Sequence, residues 1–267
     1  MTLEEAGESV PLASPGIVII GSGAGSIDAN ESSLASDTYR QSSWFTRAPK
    51  ILITGTRKSP YRHLGELVHT PLISIEEPEN WEVMDAAIKQ IENYALIAFT
   101  SRYAVRAFIN RLIELGGDTR NLAKSRLAAI GKGTATALRD LGLSADVVAL
   151  PETAQGLINV ISQEGSLVGS KVLLPRSQIA DDTLPKELED LGSEVTKATA
   201  YRTVPVENPV KIDLNVCDAV LFSSPSTIKA FHELYGASLP DNISVWCLGP
   251  NTRAVAQSVF GRGETLP

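Results

Sequence analysis

Short apolar runs recur along the chain from residue 50 onward, at 51–54, 72–75, 95–99, 127–130, 146–149, 171–174, 195–200, 219–223 and 244–248. Between most of them the apolar positions fall at helical spacing, as in Val105, Phe108, Ile109, Leu112 and Ile113. Glycine and proline mark the joins. Runs that need a strand's burial, alternating with stretches that need a helix's stripe, predict mainly parallel sheets covered by helices on both faces, an α/β fold.

The pattern also repeats. Phe99-Thr100-Ser101-Arg102-Tyr103-Ala104-Val105-Arg106-Ala107-Phe108 returns as Phe222-Ser223-Ser224-Pro225-Ser226-Thr227-Ile228-Lys229-Ala230-Phe231. Ala129-Ile130-Gly131-Lys132-Gly133-Thr134 returns as Cys247-Leu248-Gly249-Pro250-Asn251-Thr252. Each copy reads as an apolar strand, a small or hydroxyl-bearing turn and an amphipathic helix, so the chain holds two similar α/β units. A helix start carries unpaired N–H groups and a partial positive charge, and strand C-terminal ends are where open α/β sheets bind ligands. The turns at Thr100/Ser101, Gly131–Thr134, Ser223/Ser224 and Gly249–Thr252 therefore predict an anion-favouring cleft between the units. Any one of these hydroxyls also serves as an ordinary helix cap; the matched pairs favour the shared cleft. Gly131-Lys132-Gly133-Thr134 is not a P-loop, because Arg126 stands at the first glycine's place and Gly133 where Ser or Thr must follow the lysine.

The first 49 residues differ from the rest. Six acids against Arg40 and Arg47 leave them at −4 of the chain's total −7. Ile17-Val18-Ile19-Ile20 followed by Gly21-Ser22-Gly23-Ala24-Gly25-Ser26 imitates a dinucleotide-binding turn, but Asp28-Ala29-Asn30-Glu31-Ser32-Ser33 offers no helix with an apolar face to hold a pyrophosphate. An orphan strand and a linker over 26–43 is the expectation, and the acidic start at Met1 resembles neither a secretory signal nor a transit peptide. Over all 267 residues, 43% apolar and 21% charged is ordinary globular composition. No run approaches the roughly 18–20 apolar residues of a membrane span. The net charge of −7 argues against general phosphate-backbone binding. Cys217, Cys247 and three histidines make no metal-site spacing. The two cysteines read as small buried thiols rather than a bridge.

Several of these stretches, taken in order, resemble one family, uroporphyrinogen-III synthase. They are Phe99-Thr100-Ser101 with Val105; Gly131 to Ala137; Val172-Leu173-Leu174-Pro175-Arg176; Ala200-Tyr201-Arg202-Thr203; Phe222-Ser223-Ser224-Pro225-Ser226; and Gly249-Pro250-Asn251-Thr252. The leader, from Ser14 to Gly21 with Trp44-Phe45, is similar to the end of a uroporphyrinogen-III C-methyltransferase, without a methyl-donor site. The resemblance implies two flavodoxin-like lobes with parallel sheets, joined by a two-stranded antiparallel linker. Mapped here, residues 1–49 are leader, lobe one is 50–75 plus 202–267, and lobe two is 76–201. The crossing strands fall near Leu72–Ile75 and Tyr201–Val204. It also implies that lobe one ends before a last strand and helix of the family.

The implied reaction closes hydroxymethylbilane, a linear tetrapyrrole with eight carboxylates, into uroporphyrinogen III, with loss of water and inversion of the last pyrrole. No metal or other cofactor is implied. The expected partner is that small molecule alone, with no nucleic acid and no membrane, for a monomer in the cytoplasm. Tyr201 matches the family's tyrosine and is expected to donate a proton or hydrogen bond to the departing hydroxyl; a packing tyrosine is the alternative. Substrate carboxylates are expected at Thr100, Ser101, Gly131, Lys132, Thr134, Ser223, Ser224, Gly249 and Thr252, aided by Arg57, Lys58 and Arg176. Asp181-Asp182 stands where relatives carry a further arginine, which weakens that basic wall. His63, His69 and His232 read as surface residues. A non-catalytic two-lobed domain that binds a small anion, or a scaffold left from a fusion, predicts the same alternation.

Overall fold

A computed structural model describes residues 47–164 and 167–266. The leader's strand at 17–20, its glycine turn, the 26–43 linker and Trp44-Phe45 lie outside the described residues. In chain order the strands are β1 (Lys50–Ile53), β2 (Glu66–His69), β3 (Ile73–Glu76), β4 (Tyr94–Phe99), β5 (Arg126–Ile130), β6 (Val147–Ala149), β7 (Lys171–Ser177), β8 (Glu194–Pro205), β9 (Ala219–Phe222), β10 (Ser244–Cys247) and β11 (Glu264–Thr265). The helices are α1 (Glu82–Lys89), α2 (Arg102–Glu114), α3 (Lys132–Arg139), α4 (Ala154–Glu164), α5 (Thr183–Asp190), α6 (Pro225–Tyr235) and α7 (Pro250–Phe260).

They build two sheets. One runs β11-β10-β9-β1-β2, parallel throughout, which is the flavodoxin order 2-1-3-4-5 in its own strand numbering. The other runs β3-β8-β7-β4-β5-β6. Its five parallel strands follow the second doubly wound order, 3-2-1-4-5. The twelve-residue β8 serves two purposes: residues up to Tyr201 pair with β7, and Arg202–Pro205 pair antiparallel with β3. That antiparallel pair is the two-stranded linker.

Parallel strands covered on both faces read as unbroken apolar runs, and successive residues enter opposite layers. In the first sheet Leu52, Val220, Phe222 and Val245 fill one core, while Ile51, Ile53, Ala219 and Leu221 fill the other. The second sheet sorts in the same way, with Ile97, Phe99, Leu127 and Leu173 on one side and Leu96, Ala98, Ala128 and Val172 on the other. The sequence repeat returns as a repeated contact. Phe99 meets Phe108 edge-on at 5.5 Å, and Phe222 meets Phe231 edge-on at 5.2 Å. In both units the strand's last residue is pinned to the following helix, which fixes the intervening turn.

Three details depart from the expected pattern. Helix α2 buries Val105, Phe108, Ile109 and Leu112, but Ile113, one residue before its end, is 57% exposed. Strand β2 lies outside the expected runs because only Leu67 and Val68 of its four residues are apolar, as suits a sheet edge. Strand β11 is a two-residue edge that pairs parallel with β10 in the tail expected to end before any such strand. Cys217 and Cys247 are buried free thiols, and burial raises the pKa of both.

Candidate functional site

In an open doubly wound sheet the loops at the point where strand order reverses splay apart and leave a crevice at the strands' C-terminal ends. Here the reversals fall between β1 and β9 and between β4 and β7. The residues just beyond those strands are Gly55 and Thr56, Ser223 and Ser224, Thr100 and Ser101; Ser177 ends β7. A cleft of about 430 Å³ is lined by Thr56, Thr100, Ser101, Ser177, Ser223 and Ser224, so both crevices open into it. Gly55 is needed for the close approach of the loops after β1 and β9: a Cβ there would collide with Ser223 Oγ. His69, expected at the surface, donates from Nε2 to the Gly55 carbonyl at 2.8 Å and fixes that turn. His63 and His232 are exposed.

Tyr201 sits at the cleft wall where β8 leaves β7, and is only 8% exposed. Ser101 Oγ donates to its hydroxyl at 3.0 Å while accepting the Ala104 N–H at 3.1 Å, so the helix cap also orients the phenol. Burial raises the Tyr201 pKa, and its hydrogen bonds with Ser101 and Ser177 oppose that rise without cancelling it. Its ring lies 5.7 Å from that of Tyr103. The Tyr103 hydroxyl in turn shares a hydrogen bond with Thr56 Oγ1, a direct tie between α2 and the loop after β1. Apolar side chains complete the walls, chiefly Ile73, Ile75, Ile130, Ile179 and Leu248. Such a surface suits a large ligand that is both apolar and rich in hydrogen-bonding groups.

Of the residues singled out from the sequence, Tyr201, Thr100, Ser101, Gly131, Thr134, Ser223 and Ser224 line this cleft. The others do not. Arg57, Lys58 and Lys132 are exposed outside it. Gly249 and Thr252 stand back from the lining, Thr252 being buried, and Leu248 faces the cleft in their place. The start of α3 is already met by a carboxylate of the protein: Glu152 Oε1 accepts the Lys132 N–H at 2.9 Å. Residues that sequence reasoning passes over include Thr56, Arg102, Tyr103, Glu152, Ser177 and Thr203. Thr56 and Glu152 come from loops, whereas Arg102 and Tyr103 open α2, Ser177 ends β7 and Thr203 lies in β8; that all six face one cleft follows from long-range packing, which no local pattern marks.

Arg176 is turned away from the ligand-binding role expected of it. Its side chain is 9% exposed, and its guanidinium donates to Asp182 Oδ1 at 3.0 Å, to the Asp181 carbonyl at 2.6 Å and to the Ala180 carbonyl. The Asp181-Asp182 pair that breaks the family pattern is thus what consumes Arg176. Asp182 also accepts from Lys197 at 3.0 Å, and these cations hold its carboxyl below the usual range, Lys197 foremost. Arg176→Ala is expected to lower unfolding free energy by about 2 kcal/mol, because charged hydrogen bonds to a turn are lost while Asp182 stays half-exposed. Urea denaturation checks this; an unchanged midpoint would show that the turn holds without the guanidinium.

Comparison with known proteins agrees with this architecture. A family model described as uroporphyrinogen-III synthase HemD matches residues 61–259. A protein of Methanothermobacter thermautotrophicus, provisionally named as that synthase, is 31% identical over 189 residues, covering 68% of this chain and 73% of the relative. The porphyrin biosynthesis protein HemD of Ruminiclostridium josui is 26% identical over 275 aligned positions, covering 96% of this chain and 51% of its own length. Among solved structures, a mutant uroporphyrinogen III synthase of Thermus thermophilus superposes with a TM-score of 0.57 at 19% identity, over 81% of this chain and 90% of that one. At that identity the likeness shows the fold.

Proposed function

The chain belongs to the uroporphyrinogen-III synthase family, and on that premise we propose that its cleft folds hydroxymethylbilane into a near-closed ring and assists loss of the terminal hydroxyl as water. The product is uroporphyrinogen III and the activity that of a cyclising hydro-lyase. The observation that carries this reading is the pairing of hydroxyl-bearing strand ends with isoleucine and leucine walls around Tyr201. A small anion would need the first and make no use of the second. The lobes of this reading are 50–75 with 202–267 and 76–201, meeting at β3 and the second half of β8. The enzyme works as a monomer in the cytoplasm on one small-molecule substrate. No helix among the described residues is long and apolar enough to cross a membrane.

The chemistry asks little of the protein. Departure of the hydroxyl leaves an electrophilic azafulvene, and the electron-rich last pyrrole attacks it through a spiro-type intermediate that reopens with the ring inverted. Holding a floppy chain in the one geometry that favours this attack replaces lost entropy and supplies most of the rate. Tyr201 gives the leaving oxygen a proton or a hydrogen bond. Because Ser101 donates to Tyr201, the phenol's own O–H remains for Ser177 or for the substrate.

Freshly generated hydroxymethylbilane is expected to give the type III isomer; only type I, at the rate without protein, would leave the small-anion reading. Tyr201→Phe is expected to slow turnover about tenfold, less than the 10²–10⁴ of a fully committed general acid. The pH sign follows from burial. A raised phenol pKa keeps the neutral, donating form through the neutral range and loses it only above about 10. Turnover of the native chain is therefore expected to show no Tyr201-dependent fall below that pH. An alkaline limb near pH 8 that vanishes in Tyr201→Phe would contradict the raised pKa.

A further inference from the structure

Arg102 is the one cation among the described residues lining the cleft, where the only carboxylate is that of Glu152. Glu152 is engaged with the Lys132 N–H, and no ion pair forms between it and Arg102. A guanidinium has five N–H donors. Arg102 uses its Nη2 to reach the Tyr103 hydroxyl at 3.2 Å, and its guanidinium carbon lies 4.9 Å from that ring's centroid. Its Nε is shielded from solvent and meets no acceptor among the described residues. The groups it acts on are phenols: Tyr103, which it reaches directly, and Tyr61 and Tyr201, whose pKa values Arg102 pulls down against the stronger effect of burial.

The position makes this expensive. Arg102 is the first residue of α2, whose first turn carries no acid, so its charge lies against the positive end of a thirteen-residue helix. At the same point of the second repeat copy stands Pro225, which fits a helix start without any charge. A cation stacked on an aromatic ring, opposed by a helix end and given no anionic partner among the described residues, is suited to receive an anion brought from outside.

We infer that Arg102 receives one side-chain carboxylate of the substrate and thereby sets which way round the linear tetrapyrrole lies in the cleft. This rests on the proposed function and deepens it. Tyr103 positions the guanidinium, and through Thr56 it ties the anchored end to the loop after β1. The bond is ionic and hydrogen-bonded only; no covalent step passes through Arg102.

The test measures binding of uroporphyrinogen III, kept anaerobic, to the native chain, Arg102→Gln and Arg102→Lys, at several ionic strengths. Loss of a charged hydrogen-bonded contact predicts a Kd at least about tenfold higher for Arg102→Gln, with a shallower salt dependence. Arg102→Lys, which keeps the charge but not the fork, falls between. With hydroxymethylbilane, Arg102→Gln is expected to raise KM by a similar factor while kcat stays within about threefold. Among bilanes in which a single side-chain carboxylate group is replaced by methyl, the one that lacks the anchored carboxylate should show no further loss in the variant. Matching melting temperatures exclude a folding defect, and Arg102→Lys serves if the glutamine variant melts early. No binding by the native chain, a Kd and salt slope unchanged in both variants, or equal losses for every singly methylated bilane overturns the inference. A native chain that forms type III product while Arg102→Gln behaves normally overturns it and leaves the proposed function standing.

Discussion

Phe222→Ala should remove about 3–5 kcal/mol of unfolding free energy, the upper range for deleting a buried side chain. Phe222 is fully buried at the end of β9. Its ring meets Phe231 edge-on at 5.2 Å and stacks on Phe260 at 5.7 Å, while Phe231 and Phe260 meet at 5.9 Å. Three rings therefore share one contact, and the truncation deprives the other two of it. The backbone cannot sink into the void, because β9 is paired on one side to β1 and on the other to β10. A cavity that stays open carries its full penalty. Ser223 and Ser224 follow immediately, so loss of the ring also loosens the cleft wall, and activity should fall with stability. Chemical denaturation measures the change. A loss under about 1 kcal/mol would mean that α6 and α7 close over the gap, and that the aromatic group is not what fixes the turn.

Elements with a strong period are legible in the sequence because one residue type at one spacing settles them. The spacing of Phe99 to Phe108 and of Phe222 to Phe231 even carries the same aromatic pair in both units. Side-chain direction is not legible. Arg176 follows Pro175 in a motif that points to substrate, yet its guanidinium is consumed by residues 180–182, which nothing in the motif specifies. Arg102 escapes notice for the opposite reason: the repeat places it opposite Pro225, and only its position in the folded cleft shows that it has no anionic partner among the described residues.

The two turns of each unit are also unequal. Sequence symmetry makes Gly249–Thr252 the equivalent of Gly131–Thr134, but the first stands back from the cleft and the second lines it. A local repeat reproduces a strand, a turn and a helix; which turn faces the other unit depends on how β3 and β8 set the crossing, and that is a long-range property. Thr56 with Tyr103 belongs to the same class, being a contact 47 positions apart in sequence.

Gly131→Ala should destabilise the chain by about 2–4 kcal/mol, through two separate penalties. Gly131 precedes α3 at φ 86° and ψ 154°, a conformation that side chains disfavour by about 1–3 kcal/mol. A Cβ at that position would also stand 2.7 Å from Glu152 Oε2, so the carboxylate must move and surrender the Lys132 N–H. That N–H at the start of α3 then loses its partner, which adds about 1 kcal/mol. The two penalties separate in a double-mutant cycle. Glu152→Ala removes the collision but keeps the backbone strain, so the double variant Gly131→Ala/Glu152→Ala should be more stable than the sum of the single losses. Strict additivity in thermal or urea unfolding would show that Glu152 swings aside without resistance. The whole cost of Gly131→Ala would then belong to the backbone.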